Sequence, residues 1–76
     1  MNYISINTIL INFSNIDYIN STIIGTLVGI RDFLRKRSGD LVLCCVSPDI
    51  HRTFDLIGAS QILRIYDTET DALEGI

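Results

Sequence analysis

"LVLCCV", residues 41–46, decides how this chain is read. Six apolar residues stand together with no polar alternation, which fits a strand covered on both faces, as in a parallel sheet. Parallel strands need long crossover connections, so helical segments should flank the run in sequence. Upstream, within residues 21–37, Ile23, Leu27, Ile30 and Leu34 recur at helical spacing on one face, and Ile24, Val28 and Phe33 widen the stripe. Downstream, "SPDIHRTFDLIG" (47–58) reads as a second helix. Ser47 is its cap, Pro48 its first residue and Asp49 a first-turn acid, while Ile50, Phe54 and Ile57 form the apolar face and Gly58 closes it.

Working outward, "SGD" (38–40) stops the first helix, with Gly39 as the predicted left-handed terminator. The basic residues before it suit the negative pole of the helix dipole. Gly25 and Gly29 each cost that helix about 1 kcal/mol against alanine, a cost predicted to be offset by close approach to a sheet. "TILINF" (8–13) is a β-branched strand ending in a turn at Ser14 and Asn15. "YISI" (3–6) is either an extended lead-in or a second short strand. "ILRIY" (62–66) is a short last strand, and "DTETDALEGI" (67–76) a terminal helix capped by Asp67 or Thr68, with Leu73 and Ile76 pointing inward. The order β-α-β-α-β-α implies an α/β sheet with parallel strands, in a single domain over residues 1–76.

The chain has 76 residues, 47% of them apolar, and a mean hydropathy of +0.35. That is rich for so small an interior, so some apolar surface is expected to be covered by self-association. A net charge of −3 gives no basic field for nucleic acid. Arg31, Arg35, Lys36 and Arg37 cluster at one helix end, and Asp67, Glu69, Asp71 and Glu74 in the tail; both read as solvated helix ends. No apolar run reaches the roughly 18 residues a membrane span needs, and the start lacks the pattern of a signal peptide. Cys44 and Cys45 are adjacent, which suits neither a cross-link nor a metal site, so they read as small buried side chains. A cytoplasmic protein is the expectation.

Catalytic groupings are thin. His51 is the sole histidine and reads as an exposed helix residue; no phosphate-cradling glycine loop occurs, and Asp49 and Asp55 read as helix-face charges. No enzyme activity, cofactor or metal is therefore predicted. What stands out is "NSTIIGTL" (20–27), in which Asn20, Ser21 and Thr22 open the longest helix. Each can cap it, worth about 1 kcal/mol. A helix start, with free N–H donors and partial positive charge, also tolerates an added phosphate, which would change the surface shown to a partner. A nucleophilic role for Ser21 lacks a base and an oxyanion partner in the sequence.

"ILINFSNIDYINSTIIGTLVGI" (9–30) resembles the centre of STAS domains, the family named for sulfate transporters and anti-sigma-factor antagonists. The family pattern is a strand, an apolar-aromatic turn, then Asp-Ser-Ser/Thr-Gly-x-Gly opening a helix. Here Asn20 stands for the acid and Ile23 for the first glycine, while Gly25 keeps the second. "VSPDIHRTFDLIG" (46–58) is similar to the family's Ser-Pro and Phe-Asp-x-x-Gly stretch, and the likeness extends over nearly the whole chain.

The resemblance implies a small STAS-like sheet with helices packed mainly on one face. It places Ser21, with Thr22 as second choice, where antagonists are phosphorylated, and it makes the partner an anti-sigma factor that is also a serine kinase. The implied contact surface takes in Asn20, Ser21, Thr22, Ile23 and Gly25, with Asp49 and Arg52 beside them. The other reading is a scaffold subunit of a stress-signalling or transporter-associated assembly, with Ser21 only a cap. Family members usually begin with two further strands and a helix, so this chain looks N-terminally short. An open apolar edge along residues 8–13 is then predicted, to be covered in a homodimer or by a strand-donating partner.

Overall fold

The fold is taken from a computed structural model, which describes the backbone of residues 2–4 and 7–76 and the side chains of 7–76. The described residues form strands β1 (Asn2–Ile4), β2 (Thr8–Asn12), β3 (Asp40–Cys44) and β4 (Arg64–Tyr66), and helices α1 (Ser21–Arg35), α2 (Pro48–Ile57) and α3 (Glu69–Gly75). A short 3-10 turn, Ala59–Gln61, precedes β4. The sheet order is β1-β2-β3-β4, with β1 antiparallel to β2 and the other pairs parallel.

The apolar run at 41–46 takes the central place its composition requires. All of Asp40–Cys44 is buried. Leu41 and Leu43 face α1 and α2, in a core with Phe13, Ile24, Leu27, Ile50, Phe54 and Leu63. Val42 and Cys44 face the other way, in a smaller core with Leu10 and Ala72 of α3. The alternation of a pleated strand thus assigns two helices to one face and one to the other.

Several expectations are corrected. Helix α1 ends at Arg35 rather than Arg37, and its inner face centres on Ile24 and Leu27, with Val28 and Leu34 packed against the core. Ile23 and Ile30 lie on its exposed flank, and Phe33 is 55% exposed. Gly25 and Gly29 are exposed, with nothing within 4 Å of where a Cβ would stand, so no sheet contact offsets them. The left-handed residue after α1 is Ser38 (φ 62°), not Gly39. Gly39 is constrained differently: a Cβ there would collide with the backbone carbonyl of Asn7. In α2, Ile57 is half exposed while Ile50 and Phe54 are buried. In α3 it is Ala72 that points inward; Leu73 and Ile76 are exposed.

The edge predicted to be open along β2 is instead occupied. β1 pairs there, Asn2 opposite Ile11 through Ile4 opposite Ile9. The stretch 3–6 is therefore a strand as far as Ile4, and its last two residues lie outside the described ones. Caps fall as the sequence chemistry directs: Asn20 on α1, Ser47 on α2 and Thr68, rather than Asp67, on α3. Gly58 closes α2 in a left-handed conformation (φ 88°), one that glycine adopts without a Cβ clash.

Candidate functional site

Because β2, β3 and β4 run parallel and each is followed by a helix, all three helix starts lie at the carboxyl edge of the sheet. Open α/β sheets carry their functional groups at that edge. Here Asn12, Cys44 and Tyr66 are in register across it. The connections are tied down at once: Phe13 N–H donates to the Cys44 carbonyl (2.9 Å) and Cys45 N–H to that of Tyr66 (3.2 Å). The side-chain amide of Asn12 donates to Glu69 (2.9 Å), fastening the start of α3 to the end of β2.

At α1, Asn20 is extended (φ −144°, ψ 175°), and its Oδ1 accepts the Ile23 N–H at 2.8 Å. Its Nδ2 donates to the hydroxyl of Tyr18 (3.3 Å). The cap is thus Asn20 alone. Ser21 is the first helical residue, exposed, and its hydroxyl has no hydrogen bond among the described residues. Thr22, Ile23 and Gly25 are exposed beside it. On α2, Asp49 and Arg52 are exposed and bonded to each other (3.3 Å), and this helix begins at the strand next to β2. The seven residues singled out in the sequence therefore fall on two helix starts along one edge. Tyr18, 66% exposed and touching the cap, belongs to the same surface and was not singled out. Its sequence signal is an aromatic in a polar turn.

Electrostatics separate the helix starts. Helix α2 carries Asp49 in its first turn and α3 carries Glu69 and Asp71, whereas α1 has no acid there. The positive pole of α1, the longest of the three, is thus left uncompensated by its own first turn. Nearby, the Cys44 thiol is pushed up to about 11 by burial, helped by the Cys45 thiol and the Glu69 carboxylate, so it stays protonated at neutral pH. Cys45 sits in a left-handed conformation (φ 60°) at the end of β3.

Elsewhere, the Asp55 carboxylate is held below its usual range by a hydrogen bond from Ser60 and then by His51, whose Nδ1 lies 3.2 Å away. Serine and histidine both bind the acid rather than each other, which is not the order a nucleophile needs. The described residues enclose no pocket and bring no three metal-binding side chains together. No helix among them is long and apolar enough to cross a membrane.

The described residues thus present a shallow edge with displayed small polar side chains on a four-stranded α/β sheet. The STAS domain model matches residues 2–72, and the chain belongs to that family. It is 31% identical over 65 residues to the anti-sigma F factor antagonist of Paenibacillus polymyxa, which covers 86% of this chain and 56% of that protein. It is 36% identical over 59 residues to the anti-sigma-B factor antagonist of Listeria monocytogenes, over 78% of this chain and 52% of the relative. The chain thus spans about half the length of the curated relatives it matches.

Among solved structures, the NMR structure of the protein TM1081 superposes with a TM-score of 0.83 at 28% identity, over 90% of this chain and 54% of the other. A crystal structure from Thermotoga maritima, described as that of a candidate anti-sigma factor antagonist, gives 0.85 at 17% identity, over 100% and 92%. The latter speaks for the fold alone.

Proposed function

We propose that this chain is a binding domain of the anti-sigma-factor-antagonist type, which captures an anti-sigma factor through the start of α1 and is switched off by phosphorylation of Ser21. One observation carries the reading: Asn20 takes the cap, which leaves the Ser21 hydroxyl exposed and without a hydrogen-bond partner among the described residues. A dianion on that oxygen would lie at a helix start with no acid in its first turn, where it disturbs no packing. It would nevertheless alter the face made by Tyr18, Asn20, Thr22, Ile23 and Gly25, together with Asp49 and Arg52. The partner is then both the bound protein and the serine kinase, and Thr22 is the second acceptor. Such a domain acts by binding alone, without a cofactor.

The test is to incubate the protein with the cognate anti-sigma factor and ATP and to map the modification by mass spectrometry. A phosphate on Ser21 is expected; none, or one outside Ser21 and Thr22, rejects the switch. Ser21→Ala should retain capture, whereas Ser21→Asp should weaken it about tenfold or more, because charge at an interface built without it is costly.

A second reading has its own observation. Ile23, 39% exposed beside Ser21, puts apolar bulk where a kinase must approach and suits a permanent contact in a scaffold assembly. Capture that is equally tight for Ser21→Ala and Ser21→Asp would favour it.

A further inference from the structure

We propose that Cys44 and Cys45 form a reversible oxidation site: a peroxide closes them into a disulfide between neighbouring residues, and the closure reshapes the carboxyl edge of the sheet.

The two are the chain's only cysteines, so one copy offers no other pairing. A straight strand would send their side chains to opposite faces. Cys45 breaks that alternation, because it takes a left-handed conformation (φ 60°) that residues with a side chain seldom adopt. It packs against the same small core as Cys44, and the two thiols are in hydrogen-bonding contact. Such a backbone conformation is costly; its outcome here is that two thiols meet.

Burial divides the roles. Cys45 is partly exposed and meets the oxidant, whereas Cys44 is fully buried and reacts second. Hydrogen peroxide oxidises the Cys45 thiol to a sulfenic acid and is itself reduced to water. The Cys44 sulfur then attacks the Cys45 sulfur, the S–O bond breaks, and hydroxide departs with the Cys44 proton as a second water. Burial holds that proton in place, so this attack is the slower step. Two molecules of a small thiol reverse the reaction by exchange and leave as their own disulfide.

The peptide between the two residues is trans. It fixes their Cα atoms about 3.8 Å apart, closer than the roughly 4.4–6.8 Å that most disulfides span. The ring therefore closes only if that peptide group turns and its flanking torsions change. Its carbonyl accepts the Phe13 N–H (2.9 Å) and its N–H donates to the Tyr66 carbonyl (3.2 Å). Phe13 begins the turn toward α1, Tyr66 ends β4 ahead of α3, and Ser47, the cap of α2, lies two residues beyond Cys45. One peptide group thus ties the connections to all three helix starts, and oxidation loosens them together.

The experiment treats the reduced full chain with hydrogen peroxide, alkylates the remaining thiols after denaturation and maps the cysteines by mass spectrometry. The expected product is a single chain with both cysteines protected and lighter by their two hydrogens, returned to two alkylated cysteines by dithiothreitol. In NMR hydrogen exchange, the Phe13 and Cys45 amides of the oxidised chain should exchange about fivefold faster or more, since each loses a hydrogen bond. Cys45→Ser should resist the peroxide. Two thiols that stay alkylatable, a Cys45 sulfinic acid beside an alkylatable Cys44, or a disulfide only between two chains overturns the site. Unchanged exchange at Phe13 and Cys45 overturns its link to the edge. Equal oxidation of the Cys45→Ser variant overturns the assigned roles; should that variant fail to fold, the map of the unmodified chain decides.

Discussion

The two ends of the sheet are built on opposite plans. At the amino edge, charged groups satisfy one another around a buried carboxylate. Asp40 is buried; one oxygen accepts the Leu41 N–H at 2.8 Å and the other lies 3.6 Å from Arg35 and 3.7 Å from Arg64. Arg64 also donates to the Tyr66 hydroxyl and, at 3.1 Å, to the Gly75 carbonyl. The end of α1, the starts of β3 and β4 and the end of α3 are thereby joined across both faces of the sheet. At the carboxyl edge the helix starts are satisfied by their own caps, and the side chains just inside them are left in water. One end is closed by its polar residues and the other displays them. A residue at the first should matter to stability, and one at the second to recognition.

The strongest way to break that contrast is Asp40→Ala. Removing one member of a buried ion pair costs about 3–5 kcal/mol. Both arginines here are about half in water, so a loss of about 2 kcal/mol in urea unfolding is the expected outcome. A loss no larger than that of a surface substitution would show that the amino edge is not closed in the sense described. The next test sets neighbours against each other at the carboxyl edge. Asn20→Ala should cost about 1 kcal/mol through the lost cap. Ser21→Ala should stay within about 0.5 kcal/mol, since its hydroxyl holds nothing. Equal losses would mean that Ser21 shares the capping.

The smallest effect concerns Asp55, at neither edge. Its carboxyl is depressed in the folded chain, first by Ser60 and then by His51, so the stability it contributes is present above its unfolded value of about 4 and is lost as pH falls through the lower folded value. Asp55→Asn should therefore flatten the acid limb of a pH–stability curve and leave the neutral region nearly unchanged. The group is solvent-exposed, so the change will be slight.

Much of the presenting end was legible, because caps are local chemistry. Asn20, Ser47 with Pro48, and Gly58 all act on residues a few positions away, and the apolar run at β3 announces its own burial. The closing end was not. Asp40 and Arg64 lie 24 positions apart and meet only because β3 and β4 pair, while Asp40 read simply as part of a helix stop. Gly39 was recognised as special for the wrong reason, since its constraint comes from Asn7, a neighbour through the β2–β3 pairing and not along the helix. The inner face of α1 was rotated by a similar limit: spacing fits a stripe through Ile23 and Ile30 as well as one through Ile24 and Leu27, and the sheet chooses. Ser21 lay within reach of sequence, but its spare hydroxyl did not, because three consecutive polar residues could each have been the cap.

The parallel pairing of β2 with β3 has a consequence for how the chain acquires its shape. Thr8 meets Asp40, so that ladder cannot zip outward from a tight turn; it closes only around everything from Phe13 to Gly39, α1 included. The β3–β4 ladder closes in the same way around α2. Among the described strands, only β1 with β2 joins segments adjacent along the chain. Ordering so long a loop before its contacts repay the entropy slows the search, and a helix that has already shortened the loop speeds it. Gly25 and Gly29, unsupported by packing, sit in the helix that spans that loop, so replacing both with alanine is expected to speed refolding of the whole sheet, as stopped-flow kinetics would read.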